Sequence, residues 1–196
     1  MLMVGQKFPE LTMAAVMADG TTNNAFKVGG KTDGYTVVFF YPLDFTFVCP
    51  TELVAFNQAM SQFEERGVQV IGGSIDSTHS HAAWRRTSLK EGGIGELKYP
   101  LLSDMQRKLS GELGILNADG VTYRASYLLD KEGTIRHMVI NDLPLGRSVP
   151  EMIRMVDALA FFEENGEVCP ANWHKGDDGM KTTRESVGEH LAKKAA

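Results

Sequence analysis

Two cysteines occur in the 196 residues, and their surroundings differ in kind. Cys49 lies in Tyr41-Pro42-Leu43-Asp44-Phe45-Thr46-Phe47-Val48-Cys49-Pro50-Thr51-Glu52. Upstream, Tyr35 to Tyr41 is a near-continuous apolar and aromatic run, which reads as a buried central strand. Downstream, Leu53, Phe56, Met60 and Phe63 recur at helical spacing, and Gly67 offers a stop. Cys49 therefore falls at a strand–loop–helix junction, at or near a helix N-terminus. Pro50 suits the first helical position, where its missing N–H costs nothing. Unpaired backbone N–H groups and the positive end of the helix dipole favour a thiolate at such a place. A thiol oxidised there to a sulfenic acid condenses with a nearby second thiol to a disulfide. Cys169 is the other thiol, far away in sequence and beyond the last core helix. Stripped of their neighbours, Cys49 would default to an inert buried thiol and Cys169 to a spare surface thiol.

The neighbours carry more. Pro42 to Glu52 closely resembles the active-site loop of typical two-cysteine peroxiredoxins, most of all the group that includes alkyl hydroperoxide reductase C. The segment Gly166-Glu167-Val168-Cys169-Pro170-Ala171-Asn172-Trp173 resembles that family's resolving-cysteine segment. The resemblance runs from about Val4 to the tail. It implies a thioredoxin-like α/β fold, a mixed central sheet flanked by helices, with a C-terminal extension that carries the resolving cysteine. It also implies a thiol-dependent peroxidase acting on hydrogen peroxide and organic hydroperoxides. Cys49 would be the peroxidatic residue, with Thr46 and Arg124 beside it and Pro42 shielding it. Glu52 and Arg147, in Gly146-Arg147-Ser148, would orient the arginine and support the loop. Cys169 of a second subunit would close an intersubunit disulfide, so the smallest unit is a homodimer, and the family assembles five dimers into decamers. An external dithiol system would then reduce the disulfide. The chain has no flavin- or nicotinamide-binding motif and no cofactor is expected. The reductant is therefore a partner, either thioredoxin or an NADH-linked flavoprotein disulfide reductase.

The chemistry sets its own requirements. A thiolate cleaves a peroxide O–O bond by attacking one oxygen, leaving a sulfenic acid and water or an alcohol. Lowering a cysteine pKa from ~8.5 to ~6 raises the thiolate fraction roughly 30-fold at neutral pH. The same shift lowers nucleophilicity roughly 10-fold on a Brønsted slope taken from disulfide exchange. The net gain is only several-fold. Donors aimed at the peroxide oxygens must supply the rest. Thr46, whose hydroxyl both accepts and donates, Arg124 with its fixed guanidinium fork, and the Cys49 backbone N–H are the candidates. Read singly, each residue has a plainer explanation. Thr46 suits a turn hydroxyl, Arg124 the solvent face of an alternating strand, and Glu52 a first-turn carboxylate favoured by the dipole.

Several elements must position these groups. Asp19-Gly20 is a hairpin turn between Thr12–Ala18 and Thr21–Lys27. Val68 to Ser74 reads as a strand, and Asp76, Ser77 or Thr78 as the cap of a helix through Trp84. Tyr99-Pro100-Leu101-Leu102 is a short segment leading to Ser103 and a helix ending near Gly114. Val121 to Leu129 alternates, with Thr122, Arg124 and Ser126 on one face. Asp130-Lys131-Glu132-Gly133 turns into Thr134–Ile140. Ser148-Val149-Pro150-Glu151 opens a helix to about Asn165 with Met152, Val156 and Leu159 as its apolar stripe. This order predicts a mixed α/β sheet covered on both faces. Residues 1–165 form the expected peroxidase domain and 166–196 the tail.

Composition narrows the classes. The 43% hydrophobic and 23% charged shares are those of a globular protein, and a net charge of −5 makes no electrostatic case for nucleic acid or anionic membrane. No apolar run spans a bilayer and no signal peptide is evident, which points to the cytoplasm. His79 and His81 do not share a helix face, so no metal site is expected. Gly92-Gly93-Ile94-Gly95 lacks the ending of a phosphate loop. It resembles the Gly-Gly-Leu-Gly insert of overoxidation-sensitive family members, but the tail carries Gly188-Glu189-His190-Leu191 where those have a Tyr-Phe pair. Intermediate sensitivity is expected. A Cys-x-x-Cys disulfide oxidoreductase is disfavoured because Cys49 is followed by Pro50-Thr51-Glu52. A holdase is the alternative from another class.

Overall fold

The computed structural model describes residues 1–195. Its sheet is built outward from β3 (Tyr35–Phe40), which is buried along its whole length. A strand of aromatic and β-branched residues with no polar face must be covered on both sides. β3 pairs in parallel with β4 (Val68–Ser74) and antiparallel with β6 (Arg124–Leu129). β5 (Leu101–Ser103) continues the parallel part beyond β4, and β7 (Ile135–Asn141) lies antiparallel outside β6. The hairpin of β1 (Leu11–Val16) and β2 (Thr22–Val28) joins through β5, giving the order β2-β1-β5-β4-β3-β6-β7. This is the mixed sheet of a thioredoxin-like fold.

Alternation along β3 divides the core. Val38 and Phe40 face a cluster with Phe8, Ile71, Leu102, Tyr127 and Leu129, closed by Leu109 and Leu113 of α4 (Lys108–Leu113). On the other face Phe39 stacks on Phe56 of α1 (Cys49–Gln58), with ring centroids 4.1 Å apart, and Phe56 stacks on Phe63 of α2 (Met60–Glu64). α1 thus covers the face of β6 that carries Arg124 and Ser126. α3 (Thr78–Arg86) starts at Ser77, whose hydroxyl accepts from the Ser80 N–H. The chain divides into two compact units at the first turn of α5 (Val149–Asn165). Met152, Val156 and Leu159 of α5 are buried, and α6 (Arg184–Ala195) is the last helix among the described residues.

The structure corrects the sequence reading in four places. The helix after Cys49 does not run unbroken to Gly67. It is interrupted at Ala59, where the N–H divides between the Ala55 and Phe56 carbonyls at 3.2 Å each. The short segment before Ser103 is a true strand, and it links the hairpin to the parallel strands. The next helix begins only at Lys108, because the buried Asp104 carboxylate collects the N–H groups of Lys108, Leu109 and Ser110 at 2.7–3.2 Å. β6 starts at Arg124 and not Val121, since the preceding residues pair back onto Ile115 and Leu116.

Candidate active site

Cys49 is the first residue of α1, with Val48 as N-cap and Pro50 inside the first turn. The residue is fully buried, at 0% exposure. Its thiol is free and meets the guanidinium of Arg124, whose Nη1 donates to Sγ at 3.4 Å. The same Nη1 donates to Glu52 Oε2 at 2.7 Å, and Nε donates to the Leu143 carbonyl at 2.7 Å. Glu52, one helical turn after Cys49, is in turn held by Arg147. The Arg147 backbone N–H and Nε donate to Oε1 at 2.9 and 2.8 Å, and Nη2 donates to Oε2 at 2.8 Å. Arg147 Nη1 reaches the Phe40 and Ala125 carbonyls at 2.8 and 2.7 Å, and its guanidinium lies 5.3 Å over the Phe39 ring. Arg147 thus ties adjacent strands β3 and β6 to the first turn of α1.

This burial rules out the plainer reading of Arg124 as a solvent-facing strand residue. It is 4% exposed, as is Glu52. Alternation along β6 is real, but both faces of the strand are covered. Burial works to lower the Arg124 pKa, yet the hydrogen bond to Cys49 and the Glu52 charge outweigh it and the pKa is raised. Burial works to raise Glu52, but the hydrogen bonds and charge of Arg147, with Arg124 behind them, leave its carboxyl below the ordinary 4.5. A buried carboxylate between two arginines is stable only because each charge has partners.

The loop before Cys49 is bent and anchored. Phe45 adopts φ 54°, an unfavourable backbone for a bulky residue that the surrounding structure must hold. The Thr46 hydroxyl donates to the Leu43 carbonyl at 2.8 Å. Its proton is therefore committed within the turn, and toward a substrate the oxygen is an acceptor and not a donor. Pro42 is buried. Behind the loop lies a network that sequence reasoning missed. Tyr41 donates to Asp44 Oδ1 at 2.8 Å, and Asp44 Oδ2 lies 2.8 Å from His81 Nδ1. His81 Nε2 lies 3.0 Å from the Leu102 carbonyl. A carbonyl only accepts, so this nitrogen carries a proton. The Asp44 N–H donates to Asp76 Oδ2 at 2.9 Å. Burial and the Asp44 carboxylate push Tyr41 well above its ordinary range and raise Asp76 as well. His81 showed no sequence signal beyond its place two residues after His79, because its partner Asp44 is 37 residues away.

The remaining features have structural places. Gly92 takes φ 79° after a 3-10 turn at Leu89–Glu91, and its carbonyl accepts from Trp84 Nε1 at 2.8 Å. A Cβ on Gly93 would lie 2.0 Å from the Thr87 carbonyl oxygen. The Gly-rich segment is therefore a tight turn packed on Trp84. Cys169 belongs to the second compact unit, half-buried and free, with Sγ donating to the Ala158 carbonyl at 3.4 Å. Gly188 to Leu191 lie in α6. Among the described residues no cluster of three or more His, Cys, Asp or Glu is arranged to hold a metal ion, and no helix is long and apolar enough to cross a membrane.

A buried thiol at a helix start in a thioredoxin-like fold, with a buried arginine aimed at its sulfur, defines a thiol-based redox protein. Residues 4–138 match the AhpC/TSA family, and residues 158–193 match the C-terminal domain of 1-Cys peroxiredoxin. The chain belongs to the AhpC/TSA family. It is 46% identical over 195 residues to alkyl hydroperoxide reductase C of Buchnera aphidicola subsp. Baizongia pistaciae, covering 98% of each chain. It is 46% identical over 191 residues to peroxiredoxin-2 of Bos taurus, covering 97% of this chain and 95% of the other. The crystal structure of reduced Plasmodium vivax 2-Cys peroxiredoxin superposes with a TM-score of 0.93 at 40% identity, over 98% of this chain and 100% of that one.

Proposed function

We propose that the chain reduces hydroperoxides at Cys49, with Thr46, Arg124 and Pro42 forming the site, and that Cys169 resolves the product. As a family member the chain is a thiol-dependent peroxidase, and the residue roles rest chiefly on one observation. A single Arg124 guanidinium nitrogen reaches both Cys49 Sγ and Glu52, so the carboxylate fixes the cation beside the sulfur. Sγ attacks one peroxide oxygen and the O–O bond breaks. The other oxygen leaves as alkoxide or hydroxide and takes up the thiol's proton. Arg124 stabilises charge on both sulfur and leaving oxygen without reorganising. Thr46 accepts the hydroperoxide O–H and thereby orients the attacked oxygen. Glu52 and Arg147 support this arrangement.

The sulfenic acid on Cys49 is then attacked by the Cys169 sulfur of a second subunit. The S–S bond is about 2.05 Å long, and Cys49 is wholly buried. The first turn of α1 must therefore open for the bond to form. We assign the resulting disulfide to thioredoxin or a flavoprotein disulfide reductase for reduction. We place the protein in the cytoplasm as a homodimer that assembles into a decamer. Self-association is supported by the exposed Phe45 and Phe47, the latter 93% exposed, and by β7 ending the sheet as an open edge.

One equivalent of hydrogen peroxide added to fully reduced protein without reductant tests the scheme. Nonreducing intact mass should show a dimer joined Cys49 to Cys169. Cys169→Ser should give sulfenic acid without that dimer, and Cys49→Ser should consume no peroxide. Unchanged thiols in the wild type would overturn the reading.

A further inference from the structure

In the second compact unit the Cys169 segment is docked along α5 by contacts from successive turns of that helix. Cys169 Sγ donates to the Ala158 carbonyl. The Trp173 ring is 2% exposed and packs 4.9 Å from the Phe161 ring. Gly179 passes so close that a Cβ there would lie 2.5 Å from Phe161. Arg154, one turn before Ala158, spans two partners. Its Nε and Nη2 bind the two Glu151 oxygens at 2.6 and 2.7 Å, while Nη1 donates to the Trp173 carbonyl at 2.9 Å.

We propose that Arg154 is a positioning residue for the resolving step: braced by Glu151, it latches the Trp173 carbonyl and so sets how readily Cys169 leaves α5 to meet a sulfenic acid. The proposal rests on the reading of Cys169 as the resolving residue. The step itself balances. The Cys169 sulfur bonds to the Cys49 sulfur, and the sulfenic hydroxyl leaves as water with the Cys169 proton. The Cys49 sulfur is reduced as the Cys169 sulfur is oxidised.

The docked state holds the unreactive form of the thiol. The bond to Ala158 needs the S–H proton, and a thiolate has none to give. Burial pushes the Cys169 thiol above its ordinary 9.0, with the Arg154 charge opposing. Reaction therefore requires leaving the dock. Substituting Arg154 removes the bond to the Trp173 carbonyl while leaving the Cys169–Ala158 bond and the Phe161–Trp173 ring pair in place. A hydrogen bond from a charged donor is worth enough to shift a docked-to-undocked ratio about tenfold. Glu151 neutralises much of the Arg154 charge, so losing that charge should affect ionisation less than losing the latch affects access.

The test uses the full chain with Arg154→Met, which keeps the aliphatic stem, and Arg154→Lys, which keeps the charge but loses the fork that holds both partners. Disulfide formation is timed by quenched intact mass after one equivalent of hydrogen peroxide. Cys169 alkylation is followed against pH in a Cys49→Ser background, where the high-pH plateau reports access and the midpoint reports charge. Arg154→Met should form the disulfide about tenfold faster, with peroxide consumption unchanged and the alkylation plateau raised by a similar factor. Arg154→Lys should raise the plateau with a midpoint nearer the wild type, and it carries the test if the Met variant does not fold. Disulfide rates and plateaus equal to or below wild type would overturn the latch. A wild-type protein that forms no Cys49–Cys169 disulfide would overturn the resolving assignment instead, and the plateaus would still show whether the latch exists.

Discussion

Replacing Glu52 by Gln probes the site most directly. The carboxylate accepts from Arg124 Nη1 and from the N–H, Nε and Nη2 of Arg147, all within 2.9 Å. An amide keeps the shape but turns an NH2 toward these donors and removes the charge between two guanidinium groups. Breaking a buried pair by removing one partner costs about 3–5 kcal/mol, which lowers the melting temperature by about 10 °C for a chain of this size. Catalysis should fall further than stability suggests. With the carboxylate gone, the Arg124 contact to Sγ at 3.4 Å is no longer fixed, and misplacement by about 1 Å costs on the order of 100-fold in rate. The pH dependence follows from the sign of the shift. Burial opposes the charge on Glu52, yet Arg147 and Arg124 depress its carboxyl below 4.5. Its contribution is present above 4.5 and is lost as the pH falls through the lower folded-state value. Acid titration of the wild type should show this loss, and Glu52→Gln should lack it. Stopped-flow peroxide consumption and thermal melts at neutral and acid pH measure both effects. A Glu52→Gln protein with a wild-type peroxide step and an unchanged acid profile would refute the reasoning.

Three further outcomes are expected. His81→Ala leaves the buried Asp44 carboxylate with Tyr41 on Oδ1 but without its partner on Oδ2, and should cost about 1–3 kcal/mol, read by denaturant melts, with a slower peroxide step because Asp44 anchors the Cys49 loop. Gly93→Ala places a methyl 2.0 Å from the Thr87 carbonyl oxygen. The turn must shift, at a cost of about 1–3 kcal/mol, visible as a lower melting temperature with Trp84 fluorescence altered. Under cycling with reductant, sulfinate on Cys49 should accumulate slowly, because the Gly-rich turn is formed but α6 presents Gly188 to Leu191 in place of an aromatic pair. Mass spectrometry showing mostly sulfinate after a few equivalents of peroxide would count against this.

What the sequence determined was local. The apolar run before Cys49 reads as a buried strand because it is short and rich in aromatic and β-branched residues, and the spacing of Leu53, Phe56, Met60 and Phe63 reads as helical, although it did not reveal the break at Ala59. Cys49 at the helix start follows from those two facts. The Asp19-Gly20 and Asp130–Gly133 turns were legible for the same reason, since each depends on residues a few positions apart, and the cap of α3 was narrowed to Asp76, Ser77 or Thr78, of which the structure uses Ser77. Only the tertiary structure decided the charges. Arg124 alternates in its strand like a solvent-facing residue, and packing of α1 over that face is what buries it. Glu52 meets Arg124 across 72 residues and Arg147 across 95, and His81 meets Asp44 across 37. Ion pairs and hydrogen bonds depend on distance in space, which local periodicity does not encode. The same holds for the Thr46 hydroxyl, whose direction is set by a turn with a strained Phe45. The chemistry that Cys49 can perform was therefore readable from the chain, and the family resemblance pointed to Glu52 and Arg147, while the hydrogen bonds that join Glu52 to Arg124 and Arg147 became visible only once α1 was laid against the sheet.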